Sequence, residues 1–186
     1  MGQFTRISAD TFKELQINAG VLLNTFNPAS PAMEDEHIIC ATTGGITANC
    51  VPTITDWFED VDNAPNNTKE GMRIDGYDCS LAFTALNATA EAIRMSLGAA
   101  DITADSGAIK PRMELKDTDF SDVWWVGDRS DGGLVAIKLI NALSTTGFSL
   151  KTTKNGKGNL SVTLGGHVSI ADPDKVPMEF YVSEGT

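Results

Sequence analysis

The stretch Asp122–Gly133, DVWWVGDRSDGG, decides how the rest of the chain is read. It sets two of the three tryptophans side by side, ahead of a turn rich in Asp and Gly. Successive side chains of a strand point to opposite faces, so Trp124 and Trp125 cannot share one side of a sheet. Either one indole is exposed, or both faces of the strand are covered. The next segment, LVAIKLINAL (134–143), poses the same problem. One of its faces carries Val135, Ile137, Leu139 and Leu143. The other carries Leu134, Ala136, Ile140 and Ala142, interrupted by Lys138. DRSDGG reads as the loose turn joining these two strands. A helix over 88–97 is one candidate cover, but a narrow helix hides only part of such a sheet. The remainder is an exposed apolar patch unless a partner closes it.

Period-two alternation continues outward from this centre. INAGVLLNTF (17–26) puts Ile17, Ala19, Val21 and Leu23 on one face. Residues 37–42 and 46–55 follow, broken by TTGG, with Ile46, Ala48, Cys50 and Ile54 on one side of the second. Residues 77–86 alternate Cys79, Leu81, Phe83 and Ala85. NLSVTLGGHVSI (159–170) reads as one long strand, its even positions apolar and its odd positions Asn159, Ser161, Thr163, His167 and Ser169 polar. Twelve such residues would extend roughly 40 Å, which suits a barrel wall or a large sheet. The paired glycines of TTGGI (42–46) and LGGH (164–167) predict bulges or close backbone approach.

Helix signals are few. Asn87 or Thr89 caps a helix with Glu91 in its first turn, a narrow face of Ala92, Ile93, Ser96 and Leu97, and Gly98 as the stop. A shorter helix is expected over Asp10–Gln16. KNGKG (154–158) predicts a hairpin turn around Asn-Gly. The expected fold class is mainly β, a sandwich or partial barrel with one flanking helix, in a single domain over 1–186.

The chain has 186 residues, 41% of them apolar, enough for one sizeable core. Fourteen basic against 25 acidic residues give a net charge of −11, which disfavours tight binding to phosphate backbones. The start, MGQFTRISAD, lacks an apolar signal core, and Arg6 breaks the myristoylation pattern. No apolar run approaches the roughly 18 residues of a membrane span. The triplets at Asn66, Asn87 and Asn159 carry no weight as glycosylation sites without export. Cys40, Cys50 and Cys79 are expected as reduced thiols packed like small apolar residues.

Between Asp56 and Arg73 the texture changes to DWFEDVDNAPNNTKEGMR, a long loop of the kind that is commonly functional. Trp57 and Phe58 stand beside Glu59, Asp60 and Asp62. One reading is a solvated loop with an aromatic tucked onto its own domain; the other is an arm that orders against another subunit. The acidic group Asp56, Glu59, Asp60 and Asp62 lacks the spacing of a calcium loop, and a solvated charge run explains it better. DPD (172–174) is explained as a turn. His37 and His167 are accompanied by no nucleophile elbow, HExxH or phosphate loop. No catalytic residue, cofactor site or metal site is therefore assigned.

Several blocks in order resemble one family, the major tail (tail tube) proteins of long-tailed bacteriophages of Gram-positive bacteria. They are ELQINAGVLL (14–23), TTGGI (42–46), DWFEDVDNAPNNTKE (56–70), LGAAD (97–101), IKPRMELKDTDFSDVWWVGD (109–128), INALSTTGFSL (140–150) and GHVSIADPDKVPMEFYV (166–182). The resemblance implies a structural, non-enzymatic virion protein, assembled in the host cytoplasm and residing in the tail. Six protomers would form a ring, their inner sheets joined in one barrel, and rings would stack into a tube for genome passage. Tape-measure, tail-tip and terminator proteins are implied partners, with DNA passing without sequence-specific binding and no membrane involved. An acidic or neutral wall would not retain DNA, and the face Asn159, Ser161, Thr163, His167, Ser169 is one candidate for it. The expected contacts between protomers are Trp57, Phe58, Glu59, Asp60, Asp62, Trp124, Trp125 and the lysines of a basic hairpin, Lys151, Lys154 and Lys157. The alternatives are a related tube of a tail-like bacteriocin or secretion system, and a β-rich ligand-binding domain.

Overall fold

A computed structural model describes residues 7–8 and 10–185, so the first six residues, including Arg6, lie outside it. The described chain runs β1 (Gln16–Leu23), a 3-10 turn (Asp35–His37), β2 (Ile38–Cys40), β3 (Thr42–Asp56), β4 (Met72–Ala85) and α1 (Ala90–Leu97). It continues with β5 (Ala100–Ile102), β6 (Ile109–Pro111), a second 3-10 turn (Asp117–Asp119), β7 (Ser121–Arg129) and β8 (Leu134–Ser144). β9 (Ser149–Lys151), β10 (Asn159–Gly165) and β11 (Met178–Ser183) complete it.

The tryptophan strand β7 lies between β1 and β8 in an antiparallel path, β2-β1-β7-β8-β10-β4-β3. β8 is the junction. Its residues Leu134–Leu139 pair with β11, whereas Leu143 and Ser144 pair with Gly165 and Leu164 of β10. One strand thereby belongs to two sheets, β2-β1-β7-β8-β11 and β3-β4-β10-β9. Their inner faces meet over one core, with Leu22, Val123 and Leu139 from the first and Leu81, Phe83, Val162 and Leu164 from the second. The architecture is mainly β and sandwich-like. Each such side chain contributes about 1.5–3 kcal/mol on burial.

Helix α1 closes part of this core with Ala92, Ile93 and Met95. Its cap is Thr89, whose hydroxyl accepts from the Ala92 N–H at 3.1 Å, and its stop is Gly98 at φ 77°. Asn87 instead accepts from the Ala41 N–H at 2.8 Å, tying the helix entry to the junction of β2 and β3. The small β5–β6 hairpin is held by Arg112, which lies 2.9 Å from the Asp101 carboxylate and donates to Asp119 at 2.6 Å. Burial alone would raise the Asp119 carboxyl. The Lys116 N–H and the Arg112 guanidinium outweigh it and hold that carboxyl below its ordinary range.

Strand alternation holds where no residue is inserted and fails where one is. In β4 the expected Cys79, Leu81, Phe83 and Ala85 all reach the core. TTGG does not break β3 but bulges it, with Gly44 and Gly45 at φ 76° and 80° and the register shifting between Thr43 and Ile46. In β8 the expected face of Ala142 is wrong. Asn141 takes φ 49° opposite a register shift between Ser121 and Val123, so Ala142 joins Leu139 in the core. One extra residue exchanges the two faces of everything beyond it. A similar shift between Ile17 and Val21, with Asn18 and Gly20 at positive φ, leaves Ile17 exposed.

Three expectations need shortening. The strand over 159–170 stops at Gly165, and Gly166 passes so close to β8 and Pro177 that a Cβ there would meet Leu139 at 2.7 Å. Val168 and Ile170 are exposed, and His167 and Ser169 lie off the strand, so the polar wall reduces to Asn159, Ser161 and Thr163. The segment at 172–174 is a turn, as expected. Asp10–Gln16 is not a helix: one turn at Asp10–Lys13 precedes β1, which already includes Gln16. The β9–β10 hairpin exists, but neither Asn155 nor Gly156 takes positive φ, and the loop spans 152–158 rather than a two-residue turn.

Candidate assembly interface

The paired tryptophans resolve first. Trp124 is only 7% exposed and sits outside the main core, on the outer face of the first sheet. Its ring is met edge-on by Phe26 at 5.7 Å and flanked by Tyr181 at 5.5 Å, with the Lys138 ammonium 5.4 Å away. The cover is thus the chain's own segment after β1 together with β11, and not α1. Trp125 turns to the inner face and is half-buried, its indole N–H donating to the Ala19 carbonyl at 3.0 Å. Gly20 permits this approach, since a Cβ there would stand 2.4 Å from the indole nitrogen. Next to Trp125 the register aligns Ile137 and Phe180, and the following row aligns Val135 with Val182. Phe180 is 58% exposed and Val182 more so, so this half of the inner face is not covered by the second sheet.

The second uncovered surface is larger. β3 and β4 pair from Thr42 and Ala85 out to Asp56 and Met72, but β10 accompanies β4 only from Ala85 to Ser80. Beyond Cys50 and Cys79 no further strand accompanies the pair; Tyr77 still packs on the core and residues 173–177 run beside 74–77, while Val51, Ile54, Met72 and Ile74 are exposed. The predicted arm is therefore a strand pair with a tip at 57–71, already framed by hydrogen bonds within the single chain. Asp56 organises the tip: its two carboxylate oxygens accept from the N–H groups of Phe58, at 2.9 Å, and Asn67, at 3.0 Å. Trp57 donates its N–H to Gly71 at 3.0 Å, and its ring, 60% exposed, is stacked by the Arg73 guanidinium at 4.7 Å. Asp56 thus has a local structural task, while Glu59, Asp60 and Asp62 point to solvent.

At the other end of this sheet stand Lys151 at the end of β9 and Lys154 and Lys157 on the β9–β10 loop, all exposed beside exposed Phe148 and Leu150. Sequence reading had singled out the lysines but not these two apolar neighbours. Their signal was present, since Phe148 and Leu150 alternate with Ser149, but β9 begins only at Ser149 and is too short to be recognised by its period.

At the arm's root, Cys50 and Cys79 face one another directly across β3 and β4 with their sulfurs 3.4 Å apart. Both are free thiols, as is Cys40. Burial, then the hydrogen bond to Cys50, pushes the Cys79 thiol up to about 12, and burial raises Cys40 to about 11, so both pack as neutral groups.

Other places with site-like chemistry are occupied by local contacts. The His167 ring lies 3.1 Å from the Asn141 carbonyl and edge-on to Phe120 at 5.5 Å, while the Asn141 amide donates to the His167 carbonyl. Glu34, Glu36 and His37 come together on the first 3-10 turn, where the carboxylates are exposed. A groove of about 470 Å³ runs beside β1, lined by Gly20, Val21, Phe26, Met33, Val126 and Leu134 among others. Its polar side chains Asn18 and Asp128 are hydrogen-bonded to each other at 3.0 Å. Among the described residues no helix is long and apolar enough to cross a membrane.

No known protein family matches the chain, and no curated protein is detectably similar to it.

Proposed function

We propose that the chain is a tail tube subunit of a long-tailed bacteriophage, assembling into six-membered rings that stack into the conduit for the genome. The observation that carries this reading is the β3–β4 ribbon, an ordered arm with apolar residues exposed outside a body that fills its own core. A ribbon of this kind is an aggregation hazard in a monomer that never assembles, and a docking element in one that does. The seven-strand path β2-β1-β7-β8-β10-β4-β3 also ends in two unpaired edges, β2 and β3. Closing such edges across protomers into a common barrel removes them. The net charge of −11 suits a wall along which DNA slides without multi-phosphate attraction. The nearly end-to-end resemblance of the sequence blocks points the same way.

In this reading the protein acts without catalysis or cofactor. It is made in the bacterial cytoplasm, and its partners are its own copies together with tape-measure, tail-tip and terminator proteins. Negative-stain microscopy of the concentrated protein is expected to show rings or tubes of sixfold symmetry. A structure of infectious particles that locates this chain outside the tube would overturn the proposal.

A further inference from the structure

The two charged loops occupy opposite poles of one sheet. The arm tip follows Asp56 and Met72, whereas Lys151 is registered opposite Asn159, next to the pair Leu160 and Ala85 at the far end of β4. Fourteen residues of β4 separate these ends, roughly 40 Å along the strand. One pole carries Glu59, Asp60 and Asp62 beside exposed Trp57 and Val61. The other carries Lys151, Lys154 and Lys157 beside exposed Phe148 and Leu150. Among the described residues none of these six charged groups takes part in an ion pair. The bases nearest the tip are engaged elsewhere, Lys69 with Glu70 and Arg73 with Asp75 and Trp57.

From this polarity we infer that the chain contacts further copies of itself head to tail along the long axis of the β3-β4-β10-β9 sheet. The acidic tip of one arm seats on the basic β9–β10 loop of the next copy. The inference rests on the self-assembly reading above and adds to it a direction and a counter-surface. A two-fold contact at one pole would set tip against tip or loop against loop, and like charges would oppose it; an antiparallel side-by-side pair would match both poles but close at two copies, so growth beyond a dimer marks the head-to-tail form. A head-to-tail contact pairs opposite charges at every step and propagates without limit. Trp57 and Val61 against Phe148 and Leu150 supply apolar area, while the charges set orientation and register.

Zero-length carbodiimide cross-linking of the assembled protein tests this, because it joins only carboxylates and amines in contact. Same-chain coupling between the poles is excluded by their separation. The expected products join the peptide containing Glu59, Asp60 and Asp62 to the one containing Lys151, Lys154 or Lys157. Reversal of either pole, by Glu59→Lys, Asp60→Lys and Asp62→Lys or by Lys151→Glu, Lys154→Glu and Lys157→Glu, should reduce assembly at least tenfold. Mixing the two reversed proteins, or combining both reversals in one chain, should restore it. Cross-links from the tip to lysines other than its own Lys69 and the three of the loop, or undiminished assembly by each reversed protein, would overturn the head-to-tail seat and leave the tube reading in place. Tip-to-loop cross-links within an assembly that is neither ring nor tube would support the contact and sink the tube reading. Rings or tubes that yield no tip-to-loop cross-link would overturn the head-to-tail seat alone.

Discussion

The two halves of the β3–β4 hairpin are one continuous pair of strands with opposite fates. In the inner half, Ile46, Ala48 and Cys50 face Leu81 and Phe83 toward a shared core, and β10 lies alongside β4. In the outer half, Ile54 and its partner Ile74 are as apolar as their inner counterparts, yet both are exposed. The outer half alone carries charges, Asp56, Arg73, Asp75 and Asp78, but what leaves its isoleucines uncovered is the lack of a third strand. β10 ends at Gly165, and the Gly166 N–H makes its last contact with this strand at the Cys79 carbonyl, 2.9 Å away. Apolar residues on a two-stranded ribbon find no layer to pack against, since a hairpin alone cannot bury a face. Exposure in the arm therefore follows from where the neighbouring strand stops, and it directs attention to the arm and away from the tryptophan pair as the surface left for a partner.

If that contrast is right, substitutions in the body should cost stability and those in the arm should cost assembly. The largest effect is expected at Trp124, whose ring is enclosed by Phe26 and Tyr181. Trp124→Ala should lower the unfolding free energy by about 3–5 kcal/mol, measured by urea denaturation of the monomer. A loss below about 1 kcal/mol would mean that the outer face is not closed by the chain itself.

An intermediate effect is expected at the buried pair Arg112–Asp119. Asp119→Asn removes a charged hydrogen bond and should cost roughly 2 kcal/mol. The native carboxyl titrates below its unfolded value, so its contribution is complete above the unfolded pKa and lost as pH falls through the lower folded one. Wild type should therefore lose stability through the acidic range more steeply than the variant. Parallel acid profiles for the two proteins would remove Asp119 from the account.

The smallest effect on stability, and the greatest on assembly, is expected in the arm. Ile54→Ser with Ile74→Ser replaces an exposed cross-strand pair. Monomer stability should change by no more than about 0.5 kcal/mol each, while ring or tube formation by microscopy should be lost. Normal tubes from this variant would return the arm to the status of a solvated loop.

Much of the fold was legible locally. The alternation of Cys79, Leu81, Phe83 and Ala85, the cap at Thr89 and the stop at Gly98 are properties of a few adjacent residues. Backbone preference and side-chain period act at that range, so the sequence by itself determined them. It also determined that Trp124 and Trp125 part to opposite faces, since the period of a strand is two. What covers those faces depends on residues distant in the chain, and only the tertiary structure decided that Phe26 and Tyr181 close over one indole and Ala19 binds the other. The turn-over at Asn141 was hidden for a related reason: a bulge is a mismatch between two strands, and neither strand contains it alone. The candidate site divides in the same way. Acids and lysines were visible as runs, but their separation to opposite poles required the register of β4 against β3, β10 and β9, which long-range backbone pairing sets.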